Sequence, residues 1–221
     1  MTEIIFTKDG SHSLLNTELN ETYHSVHGAL QESIHVFVKS GLEYFITQHQ
    51  PQSISIFEVG FGTGLNALLT LQHALNKPTS ISYHSIEAFP IDESLWTKLN
   101  YAESLGMTGQ FEQLHRAGWD RQEQIAPNFN LRKIKASLEQ IQLPENSFDL
   151  IYFDAFAPNK QPEMWTVDIL GKTIQALKSH GVFVTYCAKG QLKRDLKSLG
   201  LQVETLPGPP GKKEMVRGIK N

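Results

Sequence analysis

The stretch Ile54-Ser-Ile-Phe-Glu-Val-Gly-Phe-Gly-Thr-Gly-Leu-Asn66 decides the fold. Apolar Ile54, Ile56, Phe57 and Val59 run straight into a glycine-rich turn, and the turn into Leu65, Leu68, Leu69 and Leu75 at helical spacing. Strand, tight turn and helix in that order open a nucleotide-binding α/β unit. Gly60 and Gly62 leave room for a ligand to approach the backbone, and Gly64 lets helix and strand pack closely. A dinucleotide fingerprint wants Gly-x-Gly-x-x-Gly; here the third glycine comes one residue early, at Gly64, with Leu65 in the expected place. That departure argues against NAD. With Glu58 two residues before Gly60, it points to the acidic-x-Gly-x-Gly-x-Gly loop of enzymes that bind S-adenosylmethionine (SAM). A cofactor carrying an ammonium and a sulfonium has reason to sit near carboxylates.

Downstream, strands and helices alternate. Residues 81–86 read as a second strand ending at Glu87, 25 residues after Gly62. A carboxylate there can accept two hydrogen bonds from ribose hydroxyls. Ile91, Leu95 and Leu99 fit one face of the next helix, and Phe111, Leu114 and Trp119 suggest a short one within 106–128. Residues 129–136 set Phe129, Leu131 and Ile134 against Arg132, Lys133 and Lys135, a third strand. The apolar run 148–153 is a fourth, delivering Asp154 at its carboxyl end. After a loop, Pro162 suits a first helical position and Glu163 a first turn. Residues 164–178 follow as a helix, 182–187 as a fifth strand opened by Gly181, and 191–199 as a helix. Residues 201–206 and 214–220 can pair as an antiparallel hairpin bridged by Pro207-Gly-Pro-Pro-Gly211. Upstream, Asp9-Gly10-Ser11 is a turn. Leu30, Ile34, Phe37, Val38, Leu42, Phe45 and Ile46 keep helical spacing, with Gly41 a point where the helix can split. Residues 1–50 are expected to pack over the sheet as a lid or N-terminal extension.

The expectation is therefore a Rossmann-like α/β domain of the class I methyltransferase kind over 1–221. It has a mostly parallel seven-stranded sheet, an antiparallel C-terminal hairpin and helices on both faces. Ligands in such sheets bind at the carboxyl ends of the strands, where Gly60, Gly62, Gly64, Glu87 and Asp154 all fall.

The 221 residues fit one domain. No apolar run approaches the ~18 residues of a membrane span. The start of the chain carries no secretory pattern, and the single Cys187 excludes an internal disulfide and fits a reducing cytoplasm. His24 and His27 lie three apart with no Cys or acidic ligand beside them, and no metal is expected. The net charge of −3 is uneven. From residue 189 onward Lys189, Lys193, Arg194, Lys197, Lys212, Lys213, Arg217 and Lys220 face only Asp195, Glu204 and Glu214, a balance of +5. A basic end on an acidic body marks a polyanion site or a solvated charged terminus.

Phe57-Glu-Val-Gly-Phe-Gly-Thr-Gly-Leu-Asn66 together with Asp154-Ala-Phe-Ala-Pro-Asn-Lys-Gln-Pro-Glu-Met-Trp165 resembles the MnmD family. These are tRNA 5-aminomethyl-2-thiouridine methyltransferases, found also as the N-terminal half of bifunctional MnmC proteins. Asp9-Gly-Ser, Tyr23-His-Ser with Gly28-Ala29 and Glu32, Ser85-Ile-Glu-Ala-Phe-Pro90 and Gly211-Lys-Lys-Glu-Met-Val-Arg-Gly218 match in order, so the resemblance covers nearly the whole chain. It implies methyl transfer from SAM to the aminomethyl nitrogen on the wobble uridine of certain tRNAs, on an anticodon stem-loop whose aminomethyl group other enzymes supply. The FAD oxidase half of the fused protein is absent, so only the methylation step is expected. Glu58, Gly60, Gly62, Thr63, Gly64, Asn66, Glu87 and Ala88 are then the cofactor contacts and Asp154 the catalytic carboxylate. Tyr23, Phe156, Trp165, Lys212, Lys213 and Arg217 are the substrate and RNA contacts. The family usually carries an acid near the adenine after the third strand; Ala136 holds that place here, with Ser137 expected to stand in. The competing readings are an aminopropyl-transferring polyamine synthase or a small-molecule amine methyltransferase on the same fold, and a non-catalytic RNA-binding module.

Overall fold

The computed structural model describes residues 2–221. Strands β1 (Thr2–Phe6), β2 (His12–Asn16) and β3 (Glu21–Thr22) form a small antiparallel sheet. The turn between β1 and β2 is built by Asp9, whose Oδ1 accepts from Thr7 Oγ1, from Ser11 N and from Ser11 Oγ. Its Oδ2 accepts from Gln31 N at 3.1 Å, tying that turn to the first helix.

That helix runs unbroken through α1 (Ala29–Ser33), a π-helical stretch (Ile34–Glu43) and α2 (Tyr44–His49). Gly41 does not split it. A Cβ there would stand 3.0 Å from Val184 Cγ2 and 3.3 Å from Tyr152 Cε1, so the glycine sets how closely the helix lies on the sheet. Left-handed Gln50 ends the helix before Pro51.

The remaining elements are β4 (Ser53–Val59), α3 (Leu65–Leu75), β5 (Ser80–Ile86), α4 (Glu93–Trp96), α5 (Tyr101–Leu105), α6 (Thr108–Arg116), β6 (Gln122–Ala126) and β7 (Phe129–Ile134). They continue with β8 (Phe148–Phe153), a 3-10 turn (Pro162–Trp165), α7 (Val167–Ala176), β9 (Leu177–Thr185), α8 (Gly190–Ser198), β10 (Leu201–Pro207) and β11 (Glu214–Lys220). The main sheet has the order β10-β11-β9-β8-β4-β5-β7-β6. Strands β4, β5, β7, β8 and β9 are mutually parallel; β11 is antiparallel to β9 and β10. The strands number eight rather than seven, because polar β6 folds back antiparallel on β7 as an edge strand.

Two apolar layers sandwich this sheet. One joins Val36, Phe37 and Leu42 of the first helix, α3 and Phe111 to one face; the other joins Ile169, Leu170, Leu192 and Leu196 to the opposite face. The helix expected across Ile91, Leu95 and Leu99 is two short ones. Between them Asn100 is drawn to the N-terminal sheet, its Oδ1 accepting from His12 N and its Nδ2 donating to Gly10 O, both at 2.8 Å. Lys133 turns inward with Phe129 and Leu131 instead of outward. Its Nζ donates to His115 O at 2.6 Å and lies between the Phe61 and Trp119 rings. Among the described residues no helix is long and apolar enough to cross a membrane.

Candidate active site at the carboxyl edge of the sheet

The glycine loop is held by the two strands that flank β4. Gly60 N and Phe61 N both donate to Ile86 O, at 2.9 and 3.2 Å, and Asp154 N donates to Val59 O at 3.0 Å. Gly60 has φ +92°, and a Cβ there would stand 2.9 Å from Asp154 O; backbone meets backbone, and no side chain fits. Gly62 (φ +49°) donates its N–H to Glu87 Oε2 at 3.0 Å, while Phe89 N donates to Glu87 Oε1 at 2.9 Å. Two backbone bonds thus orient the Glu87 carboxylate at the end of β5. Gly64, also left-handed, opens α3.

Asn66 sits in the first turn of α3 and donates Nδ2–H to Asp154 Oδ2 at 2.8 Å. Burial, with the Glu32 charge adding to it, pushes Asp154 up to about 7, against the pull of the Asn66 hydrogen bond and the Lys212 ammonium. An acid so tuned exchanges a proton near neutrality. Glu58 is wholly buried behind the loop. Ser85 Oγ donates to its Oε2 at 2.6 Å, and burial raises it to about 8, so it holds a proton at neutral pH. Its Oε1 is buried with no partner among the described residues.

A cavity of about 1140 Å³ opens along this edge. Its walls bring together Tyr23, Gly60, Gly62, Thr63, Asn66, Glu87, Ala88, Asp154, Phe156 and Lys212 of the residues singled out in the sequence. Tyr23 packs edge-on against Phe156, centroids 5.0 Å apart. Glu58, Gly64, Trp165, Lys213 and Arg217 are not on its walls. Trp165 is buried and donates Nε1–H to Phe156 O at 2.7 Å, so it fixes the loop that carries Phe156. Arg217 is engaged in packing. Its Nε bonds Glu204 Oε2 at 2.7 Å, its Nη1 donates to Ser40 O, and its guanidinium lies 3.4 Å over the Tyr44 ring. Lys213 lines a neighbouring groove of about 450 Å³ with Lys189, Lys212 and Tyr186.

Four residues at the cavity have no role in the motif reading. Lys160 Nζ donates to Leu19 O and Asn20 O, tying the loop after β8 to the N-terminal sheet. Tyr186 donates Oη–H to Ala155 O at 2.9 Å. Glu32, known only as part of a matching block, pairs with Lys212 at 2.6 Å. Glu139 accepts from Ser137 Oγ at 2.8 Å beside Ala136, so an acid reaches this wall three residues later than the family pattern places it. Lys160 and Glu32 lie within matching blocks without a role there; Tyr186 and Glu139 are brought in by the tertiary fold. His24 is buried, and burial lowers it to about 4, so its ring is an uncharged part of the core.

This donor set fits a SAM-type cofactor. The three loop glycines take positive φ, an oriented carboxylate ends β5, and Asn66 Oδ1 is buried without a partner among the described residues. The sheet order, the glycine loop after β4 and the carboxylates at neighbouring strand ends define a Rossmann-like methyltransferase fold. The sequence model of the family described as "S-adenosyl-L-methionine-dependent methyltransferase" matches residues 97–221, and the chain belongs to that family.

Among similar proteins is the tRNA 5-methylaminomethyl-2-thiouridine biosynthesis bifunctional protein MnmC of Nitrosospira multiformis. It is 30% identical over 93% of this chain and 35% of its own length. The protein of the same name from Pseudoalteromonas atlantica is 31% identical over 98% of this chain and 33% of its own. The chain spans about a third of the length of the curated relatives it matches. The crystal structure of MNMC2 from Aquifex aeolicus superposes with a TM-score of 0.81 at 26% identity, covering 99% of this chain and 69% of that one.

Proposed function

We propose that this chain methylates the aminomethyl nitrogen at C5 of the wobble uridine in tRNA, giving 5-methylaminomethyl(-2-thio)uridine, and that residues 1–221 act as a single methyltransferase unit in the cytoplasm. The observation that carries the reading is Asp154. It stands at the end of β8, bonded to Asn66 and beside the glycine loop, with its acidity moved close to neutral pH. The relatives' shared name points to the same acceptor.

When bound, SAM supplies an electrophilic methyl group on a sulfonium. Gly60, Gly62, Thr63, Asn66 and Ala88 would line its seat, Gly64 would set the turn into α3 behind them, and Glu87 would accept from the ribose hydroxyls. Tyr23 and Phe156 wall the space for a base splayed out of the anticodon. The cofactor would supply the methyl group to the amine lone pair and leave as the neutral thioether, while Tyr23 and Phe156 hold the base in place. The extra N–H proton passes to Asp154. Chain residues contribute chiefly by holding amine and base in line.

The test is transfer from methyl-labelled SAM to tRNA lacking this modification, followed by nucleoside analysis. Label is expected in the wobble uridine alone. Asp154→Asn should lose roughly 10²–10⁴-fold in methyl transfer, the range of a general base, with SAM affinity by calorimetry retained. Near-normal turnover by that variant, or label elsewhere, overturns the reading.

A further inference from the structure

Lys212 stands in the wall of the cavity rather than on a free surface. Its Nζ lies 2.6 Å from Glu32 Oε1 and 3.6 Å from the centre of the Tyr186 ring. Both partners are fixed. Ser25 N donates to Glu32 Oε2 at 2.6 Å, and Tyr186 Oη bonds the carbonyl of Ala155, the residue after Asp154. Glu32 has a side chain only 6% exposed. A lysine that follows a phosphate backbone needs reach, whereas this ammonium is clamped between a buried carboxylate and an aromatic face.

The proposed acceptor poses a problem that such a cation answers. An alkyl amine with a lysine-like pKa of ~10 is protonated at neutral pH and then has no lone pair to give. Asp154 alone would favour the ammonium form; a fixed positive charge in the same cavity disfavours it. Resting on the aminomethyl-uridine reading above, we propose that Lys212, clamped by Glu32 and Tyr186, is the built-in cation that keeps the acceptor amine neutral for attack. It acts through the field and is a positioning residue for the proton, not a nucleophile or base.

The groups that interact with Lys212 from the elements around it are Glu32, Asp154, Tyr186, Cys187 and His24, with the His27 ring beside the adjoining Gly211. Burial keeps the His24 ring, the Cys187 thiol and the Tyr186 phenol uncharged at neutral pH. Glu32 and Asp154 are the acids in this set. Replacing Lys212 by glutamine therefore removes a cation and bares an anion, and both changes stabilise the substrate ammonium and protonated Asp154.

The experiment is single-turnover methyl transfer from labelled SAM to a synthetic anticodon stem-loop carrying 5-aminomethyluridine, from pH 6 to 10. In Lys212→Gln the acidic limb of the profile should move up by about one unit, which is about tenfold in rate at pH 7. The rate should recover at high pH, with RNA KM little changed, and in Lys212→Arg the limb should stay in place. SAM affinity by calorimetry reports folding. If Lys212→Gln fails it, Lys212→Met, which keeps an apolar stem against the Tyr186 ring, should move the limb upward in the same way. An equal loss at every pH, or a raised RNA KM with an unmoved limb, overturns the proposal alone. No methylation by the unaltered chain at any pH overturns the function reading and this proposal with it.

Discussion

Glu58 and Asp154 end neighbouring strands, and burial separates their chemistry. Asp154 borders the cavity and is pushed up to about 7, while Glu58 lies wholly inside and is raised to about 8 from an ordinary 4.5. A raised folded-state pKa means that the native chain holds the proton more tightly than the unfolded one. The contribution of Glu58 to stability is therefore full below pH 4.5 and is lost as pH climbs through 8. Glu58→Gln cannot ionise. Its urea midpoint, measured without cofactor at pH 5, 6.5 and 8, should gain steadily on that of the unaltered chain; parallel curves would refute a neutral Glu58. The sequence marks Glu58 correctly as the acid of the loop motif. It does not reveal the side chain's depth, because a central parallel strand is buried on both faces and the usual in-out alternation carries no information there.

At the scale of elements, the site depends on how closely β4, β8 and the glycine loop approach one another. Gly10 and Gly60 have similar φ, +84° and +92°. Around a Cβ at Gly10 there is open space within 4 Å, whereas at Gly60 the Asp154 carbonyl stands at 2.9 Å. Gly10→Ala should thus show backbone strain alone, about 1 kcal/mol. Gly60→Ala should add an overpacking cost of about 1–3 kcal/mol, read from denaturant unfolding; equal losses would show that the contact is not rigid. The strands β4, β5, β7 and β8 and the terminal hairpin are legible in the sequence because apolar runs and glycine or proline punctuation mark them. Strand β6 is not, since an edge strand of Gln122, Glu123 and Gln124 has little apolar surface to bury. The gap between α4 and α5 is hidden too, because Asn100 answers to Gly10 and His12 some ninety positions away. Lys133 reads as solvent-facing, yet the rings of Phe61 and Trp119 and the His115 carbonyl take it in.

For the whole molecule, the +5 balance of residues 189–221 overstates what an RNA would meet. Lys193 pairs with Glu214, Lys212 with Glu32 and Arg217 with Glu204, while Lys220 caps carbonyls around Leu177. Lys189 and Lys213 remain exposed in the groove beside the cavity. The double variant Lys189→Ala/Lys213→Ala should weaken stem-loop binding and lower the slope of log affinity against log salt by about 0.7–0.9 for each phosphate that is no longer neutralised. Arg217→Met should leave that slope unchanged and lower the urea midpoint instead; the opposite pattern would return Arg217 to the RNA.

The same clasp reaches far along the chain. Glu32–Lys212, Ser40–Arg217 and the His35 ring on Pro207 O join residues 172–180 positions apart. Closing so long a loop costs entropy before any contact repays it. On a ribosome, Glu32 must wait for 180 further residues before it finds its cation. This wall of the cavity thus matures only after the sheet beneath it, and a partly made chain with a finished glycine loop still lacks the Glu32–Lys212 pair.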